Sequence, residues 1–421
     1  MKIRLIASAL LLAVSAQAST THALTWERCL DRAKRHSPEL VAARAAVREL
    51  EYGVASSRAG FLPQIDVSAG FTKSGNENAA GWTETDRTTA GVDLSQDLFS
   101  GGNNLAKRRR AMAQLAIGNE QYRDALSDIE LRLRQAFVEV VYAQDLIELT
   151  KQIAERRNNN VRLLQLQFDG GRENAGSLAR SKAQRAVADF EVRQAERALA
   201  YALRNLAAAM GTMTIDFGVD GDLQATVPAA AIDLEGLMKQ SPDYAIAQTQ
   251  IEASQEGVYV ARSGRFPSLT FNTSAGLSGE RELEFGDWNI GVRASMDLFT
   301  GNRLRSDVAA AKEQVVQDEM GFMNTANSLL ATLQQRLNNY IDAVENEATQ
   351  KQSLDAEMLR AEISTAKYKQ GLLSFEDWDI IESNLINQGK TYLQRRRTSE
   401  LEQARWKNAL GRSEWYTEKG E

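Results

Sequence analysis

The sequence predicts long antiparallel helices joined to short β-hairpins, the whole plan written twice. The strands can line a membrane barrel only when several chains combine. Three observations carry that prediction. Blocks of sequence recur in the same order, four segments change from helical to two-residue periodicity, and residues 102–168 and 302–370 contain no proline.

Composition narrows the chemistry first. Five prolines and 7% aromatics among 421 residues suit long helices rather than a many-stranded soluble β fold. Two histidines and one cysteine leave almost nothing for a His/Cys metal site or a Ser-His-Asp triad. No catalytic, cofactor-binding or metal-ligating set is therefore expected, and a paired-carboxylate hydrolase is the one formal enzymatic option. The net charge is −6, and more acidic once a leader bearing Lys2 and Arg4 departs, which gives no support for nucleic-acid binding.

Residues 1–23 read as a secretory signal. Lys2 and Arg4 form the basic start, an apolar run reaches Val14, and a small-residue cleavage site follows. Either Ala16-Gln17-Ala18 or Thr21-His22-Ala23 supplies it, with cleavage after Ala18 or Ala23. The apolar run is too short for a spanning helix. Cys29 follows Glu27 and Arg28 instead of the small apolar residues of a lipid-attachment site, so it is expected to be a buried small hydrophobe rather than an anchor.

Each repeat then opens with a helix of about six turns. Ser37-Pro38-Glu39 recurs as Ser241-Pro242-Asp243, and Arg58, Gly60 and Pro63 recur as Arg262, Gly264 and Pro267. The serines are natural N-caps, the prolines suit the first helical position, and Gly60 and Gly264 are expected to stop these helices.

After each stop the period becomes two. Ile65, Val67, Ala69 and Phe71 alternate with Asp66, Ser68, Gly70 and Thr72, and Ala90, Val92 and Leu94 follow the same rule. In the second copy Leu269 to Leu277 and Trp288 to Leu298 alternate likewise. Hairpins are expected over residues 64–99 and 268–299, with polar outer loops at 73–88 and 278–287. The strands have the length needed to cross a bilayer at a tilt. Four of them cannot close a barrel, and lipid does not tolerate open edges, so several chains must share one wall. Alternation alone does not fix how many.

The rest is helical hairpin, residues 102–210 and 302–410. Leu126, Ile129, Leu133, Ala136, Val140, Ala143 and Ile147 step by three and four, as do Leu330, Leu333, Leu337, Tyr340 and Val344. Gly170-Gly171 and Gly371 mark the turns. Helices this long bury no globular core and must pack beside copies of themselves. Residues 212–233 read as a linker between a first structural repeat, 24–211, and a second, 234–411. The polar tail 412–421 is expected to fray.

With these elements in place the sequence resembles the TolC family of outer-membrane efflux and secretion channels. Leu24-Thr25 and Ser37-Pro38-Glu39-Leu40 carry the likeness at the mature start. Asp97-Leu98-Phe99-Ser100-Gly101-Gly102 and Asp297-Leu298-Phe299-Thr300-Gly301 carry it at the strand-to-helix junctions. Tyr368-Lys369-Gln370-Gly371-Leu372-Leu373-Ser374 carries it at a helical turn, with a variant, Gly171-Arg172-Glu173-Asn174, in the first repeat. The resemblance implies a homotrimer, with a twelve-stranded barrel in Gram-negative outer-membrane lipid above a twelve-helix periplasmic barrel. It implies partners too: a periplasmic adaptor and, through it, an inner-membrane pump of the RND, ABC or MFS class in efflux or type I secretion.

Site residues follow in the same terms. Strand parity places Asp66, Asp93, Asn272, Asn289 and Arg293 toward water, as lumen lining or as a plain solvated face. Gly171, Gly371, Leu372 and Ser374 are candidates for adaptor contact at the turns, although glycine there also simply permits a left-handed bend. The resemblance implies a carboxylate at the periplasmic constriction. Asp377 stands at the matching offset, with Glu376, Asp379 and Glu382 near it, while Ser177-Leu178-Ala179-Arg180 occupies the first repeat's equivalent place. Ser374 and Asp377 also have the spacing of an N-terminal cap. The alternative function is a periplasmic coiled-coil scaffold or adaptor without channel activity, which has no use for four strands of bilayer length.

Overall fold

The computed structural model describes residues 22–78, 81–215, 217–228, 231–280 and 284–417, so residues 1–21 of the expected leader lie outside it. In chain order the elements are β1 (His22–Leu24), α1 (Trp26–His36), α2 (Pro38–Ser56), β2 (Gln64–Asn78), β3 (Gly81–Ser100), α3 (Asn103–Asp169) and α4 (Ala175–Ala209). There follow β4 (Phe217–Val219), α5 (Leu234–Lys239), α6 (Pro242–Ser263), β5 (Ser268–Gly279), β6 (Glu284–Ser295), α7 (Arg303–Lys369), α8 (Phe375–Ala409) and α9 (Glu414–Thr417).

The chain divides into two compact units, and each draws on both sequence repeats. One holds the described residues up to Ser37, Leu133–Gln224 and Gln350–Arg397. The other holds Pro38–Arg132, Ala225–Thr349 and the described residues from Thr398.

In the first of these units α4 buries Ser181, Ala188, Ala195 and Ala202, one small residue every seven, which lets helix backbones approach closely. Ile153, Ala188 and Ile386 form one apolar cluster, and Leu164, Leu178, Tyr368, Phe375 and Trp378 form another. A short parallel pair, β1 with β4, sets Leu24 opposite Val219, both buried. Sequence reading assigned β4 to a linker, because three-residue strands show no period and their pairing is long-range. It also missed α1, whose buried stripe is Cys29, Leu30 and Ala33. Burial pushes the Cys29 thiol up to about 12, which leaves it an inert packing group.

The other unit contains the sheet, in the order β2-β3-β5-β6, antiparallel throughout. Its helical core is Met238, Leu329, Leu333, Leu337, Tyr340, Trp406 and Leu410. The α3 heptad positions are buried or half-buried throughout, as the three-four stepping requires.

Four local expectations need correction. The first hairpin does not open into a loop at residue 73. Its ladder continues from Lys73 opposite Asp86 to Asn78 opposite Gly81, supported by a 2.7 Å Lys73–Glu84 ion pair. Strands with water on both faces need no apolar alternation, so the period was silent there. In the second hairpin the ladder reaches Ser278 opposite Glu284 and β6 ends at Ser295, so the expected loop at 278–287 is too wide and the strand stops short of 299. Next, α2 ends at Ser56, before Gly60, and a 3-10 turn at Ala59–Phe61 intervenes. Finally, the chain end does not fray through Thr417. Ser413 Oγ and the Glu414 backbone N–H donate to Glu130 at 2.7 and 2.8 Å, and Trp415 is buried. Burial raises the Glu130 carboxyl above its ordinary range, and the Ser413 bond opposes that shift.

Candidate functional site

Two regions bear on function, and each is built by a simple local rule. In the sheet the rule is strand parity. Asp66 lies opposite Asp93, Asp93 opposite Ser274, and Ser274 opposite Asn289, so one polar row crosses all four strands. Asn272 and Arg293 share that face through their pairing with Ser95 and Thr270. Asn289 Nδ2 donates to Ser274 Oγ at 2.6 Å within the row.

The other face carries Ile65 opposite Leu94, and Val67 opposite Val92, which is itself opposite Ala275 and then Trp288. In the isolated chain these side chains are uncovered: Val67 is 79% exposed and Trp288 69%. Leaving a Val, Ile or aromatic side chain in water forgoes about 1.5–3 kcal/mol each. A contiguous patch of them marks a membrane or protein interface. The outer edges of β2 and β6 have no strand partner among the described residues. A sheet with one greasy face and two open edges is an unfinished wall.

In the helical turns the rule is capping. Gly171 and Gly371 have φ of 69° and 72°. The Gly171 and Arg172 N–H groups donate back to Phe168 and Gln167, and those of Gly371 and Leu372 to Tyr368 and Lys367. Both are Schellman endings, where a side chain at the glycine would be strained. Each return helix is then capped: Asn174 Oδ1 accepts from the Ser177 N–H at 2.9 Å, and Ser374 Oγ from the Asp377 N–H at 3.1 Å. Leu372 projects into solvent, 71% exposed.

The carboxylates after the second turn separate into two kinds. Glu376 and Asp377 are exposed, with Asp377 Oδ2 accepting from Ser374 Oγ at 2.8 Å. Asp379 points the other way and is buried. It meets Arg157 at 3.3 Å, Arg180 at 3.0 Å and Gln184 Nε2 at 2.9 Å. Glu382, also buried, takes a forked contact from Arg156 at 2.6 and 2.7 Å, and these hydrogen bonds, against the opposing effect of burial, hold the guanidinium pKa above the ordinary value. Thr365 Oγ1 joins Glu382 to the Trp378 indole, which donates to it at 3.0 Å. Trp378 in turn stacks on Tyr368, with ring centroids 4.5 Å apart and planes 2° from parallel. Burial first, and a hydrogen bond to Glu173 second, push the Tyr368 hydroxyl far above the ordinary phenol value.

Sequence reasoning thus grouped Asp379 with Asp377, whereas the fold places them on different faces of α8. It did not single out Arg156, Arg157 or Trp378 at all, and it met Arg180 only within the run that replaces the acids in the first repeat. The signal was present: Phe375, Trp378, Asp379, Glu382 and Ile386 fall at i, i+3, i+4, i+7 and i+11, one helix face, which puts both acids on the buried stripe. Among the described residues no group of His, Cys, Asp and Glu could hold a metal ion, and no helix is long and apolar enough to cross a membrane.

Known proteins share this architecture. The chain is 26% identical over 361 residues to outer membrane protein TolC of Vibrio cholerae serotype O1, covering 76% of this chain and 79% of that protein. It is 24% identical over 364 residues to the pyoverdine export outer membrane protein OpmQ of Pseudomonas aeruginosa, covering 81% and 75%. A crystal structure of CusC superposes with a TM-score of 0.82 at 16% identity, covering 91% of each chain, which shows a shared fold. The outer membrane efflux protein family matches residues 29–212 and 234–412. With that match spanning most of the sequence, the chain belongs to the outer membrane efflux protein family, whose members are channels of the outer membrane.

Proposed function

We propose that three copies of this chain close a shared barrel in the outer membrane and a shared helical conduit in the periplasm, forming a passive export duct. The half-apolar sheet with two open edges supports this reading most strongly, because neither feature is stable in one chain alone. Joining β2 of one copy to β6 of the next satisfies both edges and turns the Val67–Trp288 face toward lipid. Asp66, Asp93, Asn272, Asn289 and Arg293 then line the lumen.

The turns at Gly171, Gly371, Leu372 and Ser374 meet a periplasmic adaptor, which couples the duct to an inner-membrane pump of the RND, ABC or MFS class. The duct performs no catalysis, and the pump selects the cargo. Export of a small organic molecule, the role carried in the name of the Pseudomonas relative, suits such a duct.

Asp377, with Glu376 beside it, serves as the gate carboxylate: it is exposed and lacks a countercharge among the described ion pairs, whereas Asp379 is neutralised by arginines. Three copies around an axis crowd like charges and attract cations.

Membrane fractionation, mass measurement in detergent and planar-bilayer recording test the reading together. Recovery from the outer membrane as a trimer that conducts is expected. A water-soluble monomer with its strands folded contradicts the duct and supports the periplasmic scaffold. Asp377→Ala is expected to raise ion leakage, and unchanged conductance with unchanged cation preference removes the gate assignment.

A further inference from the structure

We propose that the leader is hydrolysed between Ala18 and Ser19, so that the mature chain begins at Ser19 and not at Leu24. Both candidate sites offer small residues one and three positions before the bond: Ala18 and Ala16 at one, Ala23 and Thr21 at the other. What decides between them is the strand that begins at His22.

That strand is part of the folded protein. His22 lies opposite Phe217, Ala23 opposite Gly218 and Leu24 opposite Val219. The Asp220 N–H donates to the Leu24 carbonyl at 3.0 Å and closes the pair. Leu24, Phe217 and Val219 are all buried, and Arg32 lies 5.5 Å from the Phe217 ring centroid.

Cleavage after Ala23 removes two of the three strand residues, His22 and Ala23, and leaves Phe217 and Gly218 without their ladder partners. It also converts the Leu24 amide into a free ammonium at a position where Leu24 and the residue opposite it are both buried. A charge there costs far more than the neutral N–H it replaces. Cleavage after Ala18 keeps the strand whole and leaves Ser19-Thr20-Thr21 as a polar spacer that carries the ammonium ahead of His22.

The chemistry is ordinary amide hydrolysis by a signal peptidase. Water adds across the Ala18–Ser19 bond, the carboxylate stays on Ala18 of the released leader, and the proton-bearing amine becomes the Ser19 terminus. This inference is independent of how many chains close the barrel, since β1 and β4 belong to one protomer.

N-terminal sequencing and intact mass of the full-length protein purified from membranes read the outcome directly. The two candidates differ by Ser19-Thr20-Thr21-His22-Ala23. The expected terminus is Ser19. Ala18→Leu should accumulate precursor, whereas Ala23→Leu, at an exposed strand position, should be processed like the parent. A terminus at Leu24 or anywhere else, or a block to processing by Ala23→Leu and not by Ala18→Leu, overturns the assignment.

Discussion

In the first repeat, helices α3 and α4 run for 67 and 35 residues; in the second, α7 and α8 run for the same lengths, each boundary displaced by 200 residues, as from Ala175–Ala209 to Phe375–Ala409. The backbone devices repeat with them, for Gly171, Gly211, Gly371 and Gly411 all end helices with positive φ. The side chains do not repeat. Tyr368, Phe375 and Trp378 of the second turn answer to Phe168, Ala175 and Leu178 of the first. At several equivalent positions the charge is inverted: Arg157 against Glu357, Lys182 against Glu382, and Glu196 against Arg396.

The inversion has a structural use. Near the turns the first repeat supplies the cations and the second the anions, as in Arg156–Glu382 and Arg157–Asp379. Farther along the same unit the roles exchange, with Lys390 on Glu191, Arg396 on Asp145 and Arg397 on Glu139. Two hairpins of one skeleton can pair with themselves or with each other. Complementary charges favour the mixed pairing and set its register, since like charges brought together are penalised.

Substitutions that erase the difference between repeats should have graded effects on detergent-phase melting followed by circular dichroism. The largest is expected for Trp378→Ala, which removes the stacked indole and about 4 kcal/mol. Leu178→Ala, the same truncation in the first repeat, should cost less because the side chain is smaller. Asp379→Ala should follow at about 3 kcal/mol, since it strips a countercharge from the buried Arg157. Glu382→Ala should cost roughly half as much, because its partner Arg156 is 39% exposed and can rehydrate. Equal losses for the two acids would break the argument from burial.

The smallest effect concerns Asp124, whose second-repeat counterpart is Asn324. Burial, reinforced by the charges of Asp128 and Asp243, pushes the Asp124 carboxyl up to about 6 from an ordinary 3.8. A raised acid favours the folded state while it is protonated. That contribution is present below the ordinary value and is lost as pH rises through the folded one. Asp124→Asn should therefore melt higher than the parent near neutral pH and match it below about pH 4. A melting difference that does not change with pH would contradict the assignment.

The hairpins, the long helices and the turn glycines were legible in the sequence because each rests on a local rule of period or cap. The β1–β4 pair was not, because Leu24 and Val219 are joined only by tertiary structure. The roles of the acids were half legible. Spacing identified Ser374 and Asp377 as a cap, and the structure bears this out at 3.1 Å. Helical spacing signalled the burial of Asp379, but not its partner Arg157, more than 200 residues away in sequence. The polar continuation of β2 and β3 past Lys73 lacked a period because neither face there is apolar.

The central claim, that one chain leaves its wall open at two strand edges for neighbours to complete, can be tested at those edges. Cysteines placed pairwise along β2 and β6 in a Cys29→Ser background, then oxidised in intact outer membranes, should give covalent dimers and trimers on denaturing gels. Cross-links formed only within single chains, with the protein still monomeric, would contradict it.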